Sequence, residues 1–147
     1  MGHEIMALMD LGKLLHQTML KFKQRIQEQT SEEILITHEH FGLLQTIKHM
    51  ETDASQKEIA EKLCKDQSVV LRLIDSLEEK ELVRRVVDKA DRRKNYLLVT
   101  KTGERVLKEY TKIALDLMKD IEKGISEEDL EGFRKVLQHL HRNAENL

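Results

Sequence analysis

The segment from Lys80 to Lys94 concentrates positive charge. It holds seven basic and three acidic residues, whereas the whole chain of 147 residues has a formal net charge of −2. Clustered Lys and Arg side chains attract phosphate groups, and one cationic face on an acidic body is sufficient to hold a nucleic acid. This charge distribution therefore indicates a phosphate-binding surface on one side of the molecule.

Two runs rich in Val, Leu and Tyr, residues 82–88 and 95–100, flank a short basic stretch. This pattern predicts a two-stranded hairpin with a cationic tip. Arg92 and Arg93 at such a tip fit the minor groove of DNA, where the negative potential favours guanidinium groups. Asp91 places a negative charge beside these arginines, where DNA would bind. An ion pair between Asp91 and Arg93 would explain it. A solvated basic turn is the alternative.

Two short helices are predicted before the hairpin. Residues 55–58 read Ser-Gln-Lys-Glu, a capping box that begins the first of them. The turn Cys64-Lys65 follows, and Asp66 is the predicted N-cap of the second, which ends near Lys80–Glu81. A helix pair followed by a basic hairpin is a winged helix-turn-helix, whose second helix lies in the major groove.

The exposed face of that second helix carries Gln67, Ser68 and Arg72, which can bond to bases or phosphates. Val69 and Leu71 are apolar on the same face, and contact with a thymine methyl group would explain at least one of them. Ordinary surface scatter is the alternative for any single residue. The full set of predicted DNA contacts is Ser55, Gln56, Lys65, Gln67, Ser68, Val69, Leu71, Arg72, Arg84, Asp91, Arg92, Arg93 and Lys94.

Long helices are predicted on both sides of this region. Apolar residues at three- and four-residue steps predict a helix over residues 4–28. Thr37 is the predicted N-cap of the next helix, Thr100 caps the one after the hairpin, Gly124 ends it and Ser126 begins the last. The absence of Pro favours helix throughout. The predicted fold class is mainly α with a small β-wing, a winged helix-turn-helix with N- and C-terminal dimerisation helices.

Residues 88–103, DKADRRKNYLLVTKTG, resemble the wing signature of the MarR family, a D-x-R-x(5–6)-[L/V]-T-x-x-G pattern. Residues 56–63 and 70–83 are similar to the paired helices of that family. Three positions depart from its pattern. Val99 stands where Leu is usual, Glu81 replaces a common Gly, and Leu71 lies where Ser or Thr is frequent.

This resemblance implies a homodimeric cytoplasmic transcription regulator, expected to be a repressor, that binds double-stranded DNA at a pseudo-palindromic operator. It implies that Arg93 enters the minor groove with Asp91 as its partner. One protomer over residues 1–147 would then contain dimerisation helices at 1–30 and 102–147 and a winged helix-turn-helix region at 37–101. A helical dimeric interaction module that does not bind DNA specifically is the alternative.

Family members often respond to small molecules, so a small-molecule effector is a possible further partner. The predicted effector pocket consists of Leu15, His16, Met19, Phe41, Leu44 and Tyr110, for which a plain core role is the alternative. Cys64 is the only cysteine, and its simplest role is that of a small turn residue. We expect no cofactor, no metal site, no catalytic site and no membrane span, because no motif for any of them is present.

Overall fold

The computed structural model of the chain describes residues 2–30, 36–50, 56–87 and 95–147. In these residues the fold is mainly helical with one two-stranded antiparallel sheet, as the sequence predicts. The elements in chain order are α1 (Gly2–Gln29), α2 (His38–His49), α3 (Gln56–Lys62), α4 (Gln67–Glu79), β1 (Val83–Val87), β2 (Asn95–Val99), α5 (Lys101–Ile121) and α6 (Glu127–Glu145).

Local capping residues set the helix boundaries. Thr37 Oγ1 accepts the N–H of His40, and His40 Nδ1 accepts the N–H of Thr37 at 3.1 Å, so α2 begins with a reciprocal capping box. Ser126 Oγ accepts the N–H of Asp129 at 3.1 Å at the start of α6. Gly124 has a φ of +86°, a left-handed conformation that ends the preceding helix. These three predicted boundaries are confirmed.

Asp66 corrects one part of the prediction. It occupies the N-cap position of α4, but its side chain makes no capping hydrogen bond. Its backbone carbonyl accepts the N–H groups of Val69 and Val70 instead, at 3.0 and 3.1 Å. The carboxylate still lies at the positive end of the helix dipole.

Residues Met1–Leu115 form one compact unit, and Asp116–Leu147 form another. The core of the first unit contains Leu43 and Leu44 of α2, and Val70, Ile74 and Leu77 of α4, all with no exposed surface. Helix α2 contacts both α3 and α4, and α4 contacts β1. The face of α4 opposite its predicted DNA-contacting side chains is therefore the buried one.

The sheet pairs β1 with β2 from Val83 opposite Val99 to Val87 opposite Asn95. The predicted hairpin is thus confirmed for its two strands. Its tip, residues 88–94, lies outside the described residues.

Thr100 and Gly103 join the base of the hairpin to α5. Thr100 Oγ1 donates to the carbonyl of Glu81 at 2.7 Å and accepts the N–H of Gly103 at 3.0 Å. A Cβ at position 103 would overlap the carbonyl oxygen of Leu82 and lie 2.8 Å from Cγ1 of Val99. The T-x-x-G part of the motif therefore has a packing cause, since only glycine lets α5 approach the hairpin this closely.

Two non-glycine residues adopt the left-handed conformation. Cys64 has a φ of 51° in the turn after α3, and Glu81 has a φ of 58° after α4. The Glu81 position is where the family pattern commonly has Gly, and the backbone angle explains that preference.

Candidate nucleic-acid interface

Helix α4 presents one buried face and one open face. Gln67, Ser68 and Arg72 are exposed, opposite the buried Val70 and Ile74. The open face carries the polar Gln67 and Ser68 in the first turn of the helix, where recognition helices contact base edges, and Arg72 one turn later. The geometry is therefore suited to a major groove.

The two apolar residues predicted on this face differ in exposure. Leu71 is 40% exposed, whereas the side chain of Val69 is half-buried. Leu71 is thus the better placed of the two for contact with a thymine methyl group.

A groove runs beside the α3–α4 turn and the first turn of α4. Lys57 and Lys65 line it together with Glu61 and Gln67. The turn is held by the N–H of Lys65, which donates to the carbonyl of Ala60 at 3.0 Å. Gln56, the first residue of α3, is exposed and Lys65 is half-buried. These positions place Gln56, Lys65 and Gln67 on neighbouring parts of one surface.

The sequence analysis missed the role of Arg85. Its guanidinium forms an ion pair with Glu78 and lies 2.5 Å from Oδ1 of Asp75, while its backbone N–H donates to Glu78 Oε1 at 3.1 Å. These contacts tie β1 directly to α4. They also neutralise Asp75, an acid on the open face of α4 that would otherwise repel phosphate groups.

Arg84 differs from its neighbour because successive strand residues point to opposite faces. It is exposed, whereas the side chain of Arg85 is only 30% exposed. Within the described residues Arg84 forms no ion pair, which leaves its charge available to a partner. The other predicted contacts, Ser55, Asp91, Arg92, Arg93 and Lys94, lie outside the described residues.

The predicted effector pocket is only partly assembled in the first unit. Phe41 and Tyr110 stack with ring centroids 4.3 Å apart. Leu44 is completely buried, so it belongs to the core and offers no open wall. Leu15 is half-buried, and His16 and Met19 on α1 are exposed. The burial of Leu44 fits the core role that the sequence leaves open for it, and the effector pocket stays a prediction.

His38 belongs to the aromatic cluster, although the sequence analysis did not place it there. Its Nδ1 lies 3.3 Å from the hydroxyl of Tyr110. Burial, followed by the nearby Lys23, lowers the pKa of His38, while Glu39 opposes this change. Burial, followed by Glu39, raises the pKa of Tyr110 to about 12. Both rings are therefore neutral near pH 7.

The described residues contain no cluster of three or more His, Cys, Asp or Glu side chains arranged to hold a metal ion. Cys64 is exposed with a free thiol. No helix in the described part of the chain is long and apolar enough to cross a bilayer.

Comparison with known proteins agrees with this geometry. Residues 36–94, which contain α2 to β1 and the tip of the hairpin, match the sequence model of the MarR family. A MarR family protein from Bacillus stearothermophilus is 26% identical, with 95% of this chain and 96% of that one covered and a TM-score of 0.69.

Two further solved structures share the fold at lower identity. MepR from S. aureus, solved in complex with DNA, is 23% identical, with 91% of this chain and 93% of that chain covered and a TM-score of 0.73. BpsR from Bordetella bronchiseptica, whose DNA binding is regulated by 6-hydroxynicotinic acid, is 20% identical, with 90% and 98% covered and a TM-score of 0.74.

The helix pair, the hairpin and these matches define a winged helix fold. Residues 36–94 are thus similar to the MarR family, and the chain shares its fold with solved MarR family structures.

Proposed function

We propose that this chain is a homodimeric transcriptional regulator, acting as a repressor, that binds a pseudo-palindromic operator in double-stranded DNA. The observation that carries this proposal is the open face of α4, where Gln67, Ser68 and Arg72 project beside a hairpin held to the same helix by Arg85. A duplex bound to α4 would also contact the hairpin, since the two elements are held together.

Exposed apolar side chains on the terminal helices support the homodimer. On α1, Phe22 and Ile26 are buried within the protomer, but Leu8 and Leu14 are 56% and 62% exposed. Helix α6 buries none of its residues, and its Val136 is 55% exposed. Apolar helix surfaces left open in one protomer favour burial against a second copy, and a two-fold dimer suits a pseudo-palindromic site.

In this proposal Arg92 and Arg93 enter the minor groove, Lys94 and Arg84 contact phosphates, and Asp91 orients Arg93. The remaining contacts come from the helix pair, with Ser55, Gln56 and Lys65 on the backbone of the DNA and residues 67–72 in the major groove. Phosphate contacts position the protein, whereas base contacts provide the specificity.

We further propose that a small-molecule effector releases the DNA, as 6-hydroxynicotinic acid regulates DNA binding by BpsR. The stacked pair of Phe41 and Tyr110 with the adjoining His38 supports this site. An aromatic ligand could stack on these rings. A few polar groups usually orient the ligand in a pocket of this kind, and the imidazole of His38 could be one of them.

Fluorescence anisotropy with a labelled duplex from the region upstream of the gene tests the DNA-binding proposal. We expect Arg72→Ala and Arg93→Ala each to weaken binding about tenfold or more while the dimer remains folded. Arg134→Ala, which removes an exposed α6 arginine paired with Glu131, is the matched control and should bind as the unaltered chain does. Unchanged affinity in both interface variants would overturn the proposal and favour a protein-interaction module.

A further inference from the structure

A second cationic surface lies apart from the open face of α4. It is a groove of about 640 Å³ between the last turns of α2 and the first three turns of α5. The charged side chains that line it are Lys48, His49, Lys101, Glu104, Arg105 and Lys108. Among them Lys48, Lys101, Arg105 and Lys108 are cations and Glu104 is the one carboxylate, although the whole chain is net acidic.

These cations are only partly compensated. Lys48 Nζ lies 3.8 Å from Oε1 of Glu104, an exposed pair that spans the two helices, and Arg105 pairs with Glu109 at 3.1 Å. Within the part of the chain that the structure describes, Lys101 and Lys108 form no ion pair. The groove therefore contains two uncompensated ammonium groups from the same side of α5, about two turns apart.

The groove is separate from the proposed DNA surface. Leu44 and Ile47 lie on the buried side of α2, and α2 contacts α4. Lys48 and His49 are exposed at the end of α2. Every residue that lines the groove belongs to α2 or α5, so the groove shares no residue with the open face of α4.

We propose that this groove binds a small organic polyanion that carries two or more phosphate or carboxylate groups. Its volume is that of an ordinary small-molecule site. Lys101 and Lys108 would each bind one anionic group, and charge-assisted hydrogen bonds of this kind are the stronger class. Leu107 provides an apolar contact for the body of the ligand.

The ligand would also link α2 to α5. Within the described residues, Lys48 and Glu104 form the only ion pair between these two helices, and exposed pairs of this kind contribute little. A polyanion held by cations from both helices stabilises the folded state by RT ln(1 + [L]/Kd), so the effect grows with ligand concentration. Binding should therefore raise the Tm.

Isothermal titration calorimetry with inorganic tripolyphosphate at constant ionic strength tests this proposal. We expect saturable binding of one tripolyphosphate per protomer. Lys108→Glu should weaken it at least tenfold, whereas Lys112→Glu should change it less than twofold. Lys112 is an exposed lysine of α5 outside the groove, so the two variants change net charge equally. Lys108→Gln repeats the test without a new carboxylate.

Other results would overturn the proposal. They are the absence of saturable binding, equal losses in Lys108→Glu and Lys112→Glu, or retained affinity in Lys108→Gln. Loss of binding only in an Arg92→Ala/Arg93→Ala variant would place the anion at the hairpin tip. No DNA is needed, so these outcomes are independent of whether the proposed operator binding holds.

Discussion

The winged helix-turn-helix region and the terminal helices differ in how they bury their apolar residues. In the first region, Val70, Ile74 and Leu77 of α4 have no exposed surface within a single protomer. On the terminal helices, Leu8 and Val136 are more than half exposed. The comparison shows that the proposed DNA-binding region buries its apolar core within one protomer. The terminal helices leave apolar side chains exposed, and a second protomer could cover them.

Disruption of the terminal helices should have the largest effect. Replacing Phe133 and Val136, which are 42% and 55% exposed, by Asp should raise the dimer Kd at least a hundredfold, because each carboxylate would be buried in the interface. Sedimentation equilibrium measures this change. Gln138→Asp on the same helix is the control, and circular dichroism should report an unchanged helix content. A double variant that remains a tight dimer would contradict the assignment of α6 to the interface.

The base of the hairpin should be the most sensitive point of the winged helix-turn-helix region. Gly103→Ala should lower the free energy of unfolding by about 3 kcal/mol, since the added Cβ overlaps the Leu82 carbonyl and forces α5 away. Urea unfolding monitored by circular dichroism measures this loss. Gly132→Ala in α6 meets nothing within 4 Å and should be neutral or stabilising. Equal effects of the two substitutions would show that the close approach is not needed.

The sequence predicted features that depend on neighbouring residues. The N-cap at Thr37, the left-handed Gly124 and the hairpin strands follow from short-range rules, and the structure agrees with them. The Asp66 cap was wrong in detail, because the backbone carbonyl accepts the hydrogen bonds expected of the side chain. Composition and spacing do not decide between these two acceptors.

Contacts between distant residues could not be predicted in this way. Tyr110 lies 72 residues from His38 in the chain, and nothing local in either segment indicates their contact. Arg85 looked like one more member of the basic cluster. Its separation of seven residues from Glu78 spans a turn whose geometry depends on the left-handed Glu81. The signal that could have found it is the pair of acids, Asp75 and Glu78, on one side of α4.

Removal of the Arg85 contacts should have a smaller effect on stability than on DNA binding. Arg85→Ala should cost about 1 kcal/mol of stability, because the side chains of this ion-pair network are partly exposed. DNA affinity should fall about tenfold, since Asp75 is left uncompensated near phosphate groups. Adding Asp75→Asn to Arg85→Ala should restore part of that affinity in anisotropy titrations. If the double variant binds DNA as weakly as Arg85→Ala does, then the contribution of Arg85 to DNA binding is only to hold the hairpin to α4.

The smallest expected effect concerns pH. Burial lowers the pKa of His38 and of His40 in the folded state, so the unfolded chain binds protons first as the pH falls below about 6.5. The stability from these neutral histidines is complete above that pH and is lost toward the lower folded pKa values. Urea unfolding between pH 7 and 5 should show a decline that is shallower in His40→Gln. His139→Gln on α6 is the control, and a steeper decline in His40→Gln would refute the account.

Specificity for one DNA sequence tests the central claim most directly. The measurement is the ratio of Kd values for a shuffled duplex and for a duplex from the gene's own upstream region, at one salt concentration near physiological. Because base contacts from α4 would add to phosphate contacts common to both duplexes, we predict a ratio of about 1,000 or more. A ratio near one would contradict the account.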